Sequence, residues 1–175
     1  LPEMAERSLV IGSMSKSHAM TGSRVGWIVG PKDIISKLID LATNTTYGVP
    51  GYIQEGALFA LSLGSSFEEQ IGAPFRRRRQ IALDILKEFP AVRAIDPKGA
   101  MYLMVDIRAT GLSGDAFANR LLDERQIAVM PGESFGASAA GHLRIAMTID
   151  DDQFASALKS LCEFATQLTL DLTDG

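Results

Sequence analysis

The sequence predicts an α/β protein on three observations. Short apolar runs rich in β-branched residues recur along the chain, stretches with apolar residues at helical spacing separate them, and Gly/Pro-rich polar segments sit at the joints. No internal repeat or low-complexity segment interrupts this alternation.

Taken in order, residues 8–12 and 24–30 read as short buried strands flanking a loop rich in small residues. Pro31 is placed for a first helical turn, and Ile35, Leu38, Ile39 and Ala42 then recur at the spacing of a core-facing stripe as far as Thr43. Residues 44–51 hold Gly48, Pro50 and Gly51 among polar neighbours and read as a linker, followed by an apolar helix over 52–63. From Ser66 to about Phe89 the pattern fits one long helix with Ile71, Phe75, Ile81, Leu83, Ile85 and Leu86 as its buried positions. Pro74 predicts a kink or a new start there, because proline lacks the N–H that the helix needs.

Strands are expected at 92–95 and 100–107. Ser113 or Asp115 is a candidate cap for a helix ending near Glu124, and further strands are expected at 127–130 and 143–147. Acidic residues at 150–152 suit the positive end of a last helix whose apolar face is Phe154, Leu158, Leu161, Cys162 and Ala165, and residues 171–175 are expected to fray. Three parts follow: residues 1–50, a connecting helix over 51–63, and residues 64–175 as a compact α/β unit able to bury its own core.

Composition narrows the function classes. Hydrophobic residues make up 46% of the chain, enough for a core, and no apolar run approaches the roughly 20 residues that span a bilayer. No signal-peptide pattern is visible, so a cytoplasmic location is expected. The single cysteine, Cys162, has no intrachain partner and lies in an apolar periodic stretch, which suits a buried small hydrophobe better than a catalytic thiol. A net charge of -4 argues against a nucleic-acid role. The basic run 76–79 does not reverse this, because four consecutive helical residues point around most of the circumference; it is expected on the solvated side.

The segment 13–27 (SMSKSHAMTGSRVGW) carries the chemistry. It places Lys16 between hydroxyls, with an arginine eight residues on. A lysine amine can form an imine with an aldehyde and pass it to an incoming amine. Ser13, Ser15 and Arg24 offer two hydroxyls and a planar guanidinium fork, a donor set that suits phosphate, and nothing in the run offers a metal site.

These residues resemble the lysine signature of the class I and II aminotransferases, enzymes of fold type I that use pyridoxal 5′-phosphate (PLP). The resemblance continues through residues 97–106 (PKGAMYLMVD), 129–136 (VMPGESFG) and 142–147 (HLRIAM). It is nearest to the aspartate-aminotransferase-like and arginine:pyruvate-transaminase-like members. It implies an α/β chain that holds the C-terminal edge of the large PLP-binding domain, followed by the small domain. It also implies amino-group transfer between an amino acid and a 2-oxo acid, with active sites at a homodimer interface. Lys16 is then the catalytic lysine in imine linkage to PLP. Ser13, Arg24 and, more variably in the family, Ser15 contact the cofactor phosphate, and Arg144 grips the substrate α-carboxylate. Tyr47 and Tyr52 are candidates for the neighbourhood of the second subunit.

In that family more than half of the chain precedes the lysine, whereas here it stands at position 16 behind a Leu at position 1. The expectation is a fragment inactive alone. The Asp, Asn and aromatic contacts to the cofactor ring would belong to the absent N-terminal part. Two other readings fit the same scaffold: a PLP-dependent carbon–sulfur or β-lyase, and the aminotransferase-like effector domain of a transcription regulator.

Overall fold

A computed structural model describes residues 2–173 and divides at Gly72/Ala73 into two compact units. In the first, β1 (Val10–Ser13) pairs antiparallel with β2 (Gly26–Val29), and the one-turn helix α1 (Met14–Ser17) lies in the connection between them. Helices α2 (Lys32–Thr45) and α3 (Gly51–Ser62) follow, and α4 (Gly64–Leu86) crosses the division. Pro31 and Pro50 stand immediately before α2 and α3 as their N-caps, where the missing N–H costs nothing.

The core of the first unit is small: Met14, Ala57 and Ala60 are buried, with Met20 and Val25 packed against them. This corrects two expectations. Neither β1 nor β2 is buried, with Ile11 76% and Val29 59% exposed. The stripe on α2 is only partly covered: Ile35, Leu38 and Ala42 are half-buried, Ile39 is exposed, and no α2 residue is fully buried. Two strands and a few small side chains leave these apolar faces without cover inside this unit.

The second unit has a full core. β3 (Arg93–Ile95), β4 (Tyr102–Asp106), β5 (Met130–Pro131) and β6 (His142–Ala146) form an antiparallel sheet in the order β3-β4-β6-β5. Alternation decides which face is wet. Leu103, Val105, Leu143 and Ile145 are buried, while Tyr102, Met104 and Arg144 occupy the opposite face. The buried set joins Ala82, Ile85 and Leu86 of α4, Phe117 and Leu121 of α5 (Gly114–Arg125), and Phe154, Leu158, Leu161, Cys162, Phe164, Ala165 and Leu168 of α6 (Asp151–Thr173) in one cluster. Phe117 and Phe164 meet edge to face at 5.3 Å. Each such large side chain contributes about 1.5–3 kcal/mol by leaving water. Cys162 is fully buried and its thiol is pushed up to about 12 by loss of solvation, as suits a packing residue.

Local chemistry settles the boundaries. Ser113, not Asp115, caps α5, its hydroxyl accepting from the Ala116 N–H at 3.2 Å. Of the residues expected to fray, 171–173 continue α6, while 174 and 175 lie outside the described residues. α4 runs through Pro74 as one helix without a new start.

The arginine run is more structural than a solvated face. Arg77 and Arg78 both donate to Asp151 at the start of α6, at 2.9 and 2.8 Å, and Arg78 also donates to the Met147 carbonyl at 3.0 Å. These guanidinium bonds, Arg77 first, hold the Asp151 carboxyl below its ordinary range. Arg79 ties α4 to Asp96 and to the Pro97 carbonyl. Only Arg76 and Arg77 of the run are exposed.

Candidate active site

Lys16 sits on α1 rather than in an open loop, and the turn is oriented by what it buries. Met14 and His18, four residues apart, are 1% and 6% exposed, so one face of the turn is packed and Lys16, between them in sequence, projects from the opposite side. The Met14 N–H bonds the Val25 carbonyl at 3.2 Å, which fastens the turn beside β2. Ser13 ends β1 and caps α1, its Oγ accepting from the Ser15 N–H at 3.2 Å. The register sets Ser13 opposite Gly26, two residues after Arg24. Arg24 has φ 51°, in the left-handed region that costs a non-glycine residue roughly 1–2 kcal/mol, and its Nη1 donates to the Thr21 carbonyl at 2.8 Å. Ser13, Ser15, Lys16 and Arg24 therefore share one strand–turn–strand segment. Among the described residues the Lys16 amine has no hydrogen-bond or ion-pair partner.

Arg144 belongs to the second unit, on the solvent face of β6. The ladders place it opposite Met104 on one side and Met130 on the other, with Tyr102 two residues along the same face. Its guanidinium carbon lies 4.3 Å from the centre of the Tyr102 ring and 4.5 Å from that of Phe135. Two aromatic faces thus hold the cation. No acceptor among the described residues pairs with its N–H groups, whose in-plane edge is the direction a carboxylate needs.

Phe135 is carried by a 3₁₀ turn, Gly132–Phe135, that Glu133 pins in place. Glu133 Oε1 accepts from the Gly114 N–H at 2.9 Å, at the start of α5, and from the Gly141 N–H at 3.0 Å. These backbone donors, Gly141 first, hold its carboxyl below the usual range. A carboxyl depressed in the folded state stabilises fully above its unfolded value of about 4.3, and that contribution is lost as pH falls through the lower folded value. Glu133→Gln is expected to lower the melting temperature at neutral pH, and the gap to wild type should close on acidification from pH 6 to 2.5. A pH-independent gap would show that the charge contributes nothing.

Sequence reasoning assigned no role to His18, Tyr102, Phe135 or Glu133. Tyr102, Phe135 and Glu133 lie within the runs that carry the resemblance, but their pairing with Arg144 or with backbone N–H groups is a product of sheet register and loop closure.

Comparisons with known proteins identify the family and the fold. The family model "Aminotransferase class I and II" matches residues 2–161. The arginine–pyruvate transaminase AruH of Pseudomonas aeruginosa is 44% identical over 168 residues, covering 96% of this chain and 43% of its own length. The aspartate aminotransferase of Geobacillus stearothermophilus is 36% identical over 154 residues, covering 85% and 39%. The crystal structure of the aromatic aminotransferase from Pyrococcus horikoshii OT3 superposes with a TM-score of 0.89 at 29% identity, covering 97% of this chain and 46% of that one. The chain thus spans less than half the length of the curated relatives it matches. Its α/β architecture is part of PLP-dependent transferase fold type I, and the chain belongs to the class I and II aminotransferase family.

Proposed function

We propose that the whole protein carrying this chain is a PLP-dependent aminotransferase that moves an amino group between an amino acid and a 2-oxo acid. The observation that carries the reading is Lys16: an amine with no partner among the described residues, projecting from a turn whose other face is buried. The donor set fits PLP, with an amine for an aldehyde and Ser13, Ser15 and Arg24 for a phosphate. PLP, when bound, supplies an electron sink that makes the substrate Cα–H acidic.

The residues then divide the work. Lys16 Nζ would hold the cofactor through its aldehyde carbon. As a free amine it would move the proton at the substrate Cα, first as general base and then as general acid. Ser13, Ser15 and Arg24 would bind the phosphate, and Arg144, held close to the Tyr102 and Phe135 rings, would receive the α-carboxylate. Arg144→Lys keeps the charge but loses the fork. It is expected to raise KM for amino acid and oxo acid alike by about a hundredfold, from the loss of charge-assisted bonds worth about 1.5–3 kcal/mol each. An unchanged KM would remove Arg144 from the site.

The same reading takes residues 1–50 as part of a larger PLP-binding domain, 51–63 as the connecting helix and 64–175 as the small domain. The exposed apolar faces of β1, β2 and α3 are then covered by the rest of the whole protein and by a second subunit in a cytoplasmic homodimer. No described helix is long and apolar enough to cross a membrane. The relative named arginine–pyruvate transaminase makes arginine with pyruvate the first pair to assay, and aspartate the second.

The test is borohydride reduction of the PLP-loaded whole protein followed by peptide mapping. The label should fall on Lys16. A label on another lysine, or none, would overturn the assignment.

A further inference from the structure

The buried side of the lysine turn carries a polar chain that packing alone does not explain. Among the described residues the buried polar side chains are those of His18 and Thr110, and Thr110 is satisfied within its own turn by the Ile107 carbonyl at 2.7 Å. His18 instead links separate elements. Its Nδ1 lies 2.9 Å from Ser17 Oγ, and Ser17 Oγ donates to the Ser13 carbonyl at 3.2 Å. Its Nε2 faces Glu68 Oε1 on α4 at 3.8 Å, and its ring leans on Phe67 at 6.1 Å. Proton counting orders these contacts. A hydroxyl has one hydrogen, so while Ser17 donates to Ser13 its oxygen accepts from the His18 Nδ1–H. Donors then run in one direction, from the imidazole through Ser17 to the backbone of Ser13.

We propose that His18 is a positioning residue for the cofactor site: buried beside Phe67, it acts through Ser17 to fix Ser13 and the turn of Lys16, so that the Ser13 hydroxyl and the Lys16 amine keep the spacing one phosphate-bearing aldehyde requires. This rests on the PLP reading above. A residue that merely fills volume would tolerate any ring of similar size; a positioning residue needs its Nδ1 donor.

The experiment compares wild type, His18→Phe, His18→Asn and Ser17→Ala in the whole protein. It measures the PLP dissociation constant and the pH midpoint of the absorbance band of the Lys16 adduct. Phenylalanine keeps the ring beside Phe67 but no donor, whereas the Asn Nδ2 can stand in for Nδ1. Expected are a rise of about tenfold in the dissociation constant and a displaced midpoint for His18→Phe and Ser17→Ala, with most of both restored in His18→Asn. The effect of the Phe and Ala changes combined should not exceed either alone, because both cut one chain. Ser17 is exposed, so Ser17→Ala gives the readout even if a ring substitution folds poorly. A wild type labelled at Lys16, with His18→Phe or Ser17→Ala matching it in affinity and midpoint, overturns this inference alone. A wild type that forms no adduct at Lys16 overturns the PLP reading and this inference with it.

Discussion

Lys16→Ala is expected to lower amino-group transfer by the whole protein about ten-thousandfold or more while leaving its thermal stability within about 0.5 kcal/mol of wild type. The two halves of that expectation come from the same geometry. Lys16 is exposed on a turn anchored by Met14 and His18, so truncating it removes no packed atom and breaks no described hydrogen bond. What it removes is the amine to which the proposed function gives both the hold on the cofactor and the proton transfer. Steady-state turnover with arginine and pyruvate, then with aspartate, gives the first number, and differential scanning calorimetry gives the second. Added methylamine should restore part of the rate, because a free amine can enter the space left by the side chain. Substantial turnover by the variant without added amine would show that the transferring base lies elsewhere.

Gly132→Ala should destabilise the second unit by about 3 kcal/mol or more and, in the same stroke, weaken substrate binding at Arg144. A Cβ at Gly132 would overlap the Ala139 carbonyl oxygen and come within 2.7 Å of the His142 carbonyl oxygen. Both obstacles are backbone, so relief requires moving the 3₁₀ turn itself. That turn carries Glu133, whose carboxylate joins the start of α5 to Gly141, and Phe135, one of the two rings against Arg144. Gly136→Ala, at the end of the same turn, is a useful contrast. It has open space for a Cβ, and any cost comes from its φ of 110° alone. Urea unfolding followed together with KM for the amino acid separates the two effects. A Gly132→Ala protein as stable as wild type would mean that the loop shifts freely, and the account of how Phe135 is held would fail.

Periodicity made most of the second unit legible in advance. The apolar face of α6 at Phe154, Leu158, Leu161, Cys162 and Ala165 is buried as the helical spacing requires, and the alternating positions of β4 and β6 segregate cleanly to core and solvent. The same reasoning failed for α2 and for the two strands beside the lysine. Apolar spacing reports which face would be buried given a partner, and the described part of the first unit holds too few elements to cover these faces. The arginine run misled for a related reason: charge says where a side chain prefers to be, not that Asp151, Asp96 and two carbonyls will be brought to meet it.

By itself, then, the amino-acid order determined the α/β class, the order of the elements in the second unit, and the lysine, hydroxyls and guanidinium groups to which the proposed function gives roles. These are properties of local spacing and side-chain chemistry, which the chain carries wherever it folds. Only the tertiary structure decided that Lys16 stands on a turn held from below by Met14 and His18, that Arg144 lies against Tyr102 and Phe135, and that Glu133 closes the loop that carries Phe135. Each of those contacts joins residues on different elements or across a loop closure. Their energy depends on sheet register and packing direction, neither of which exists until the elements have met.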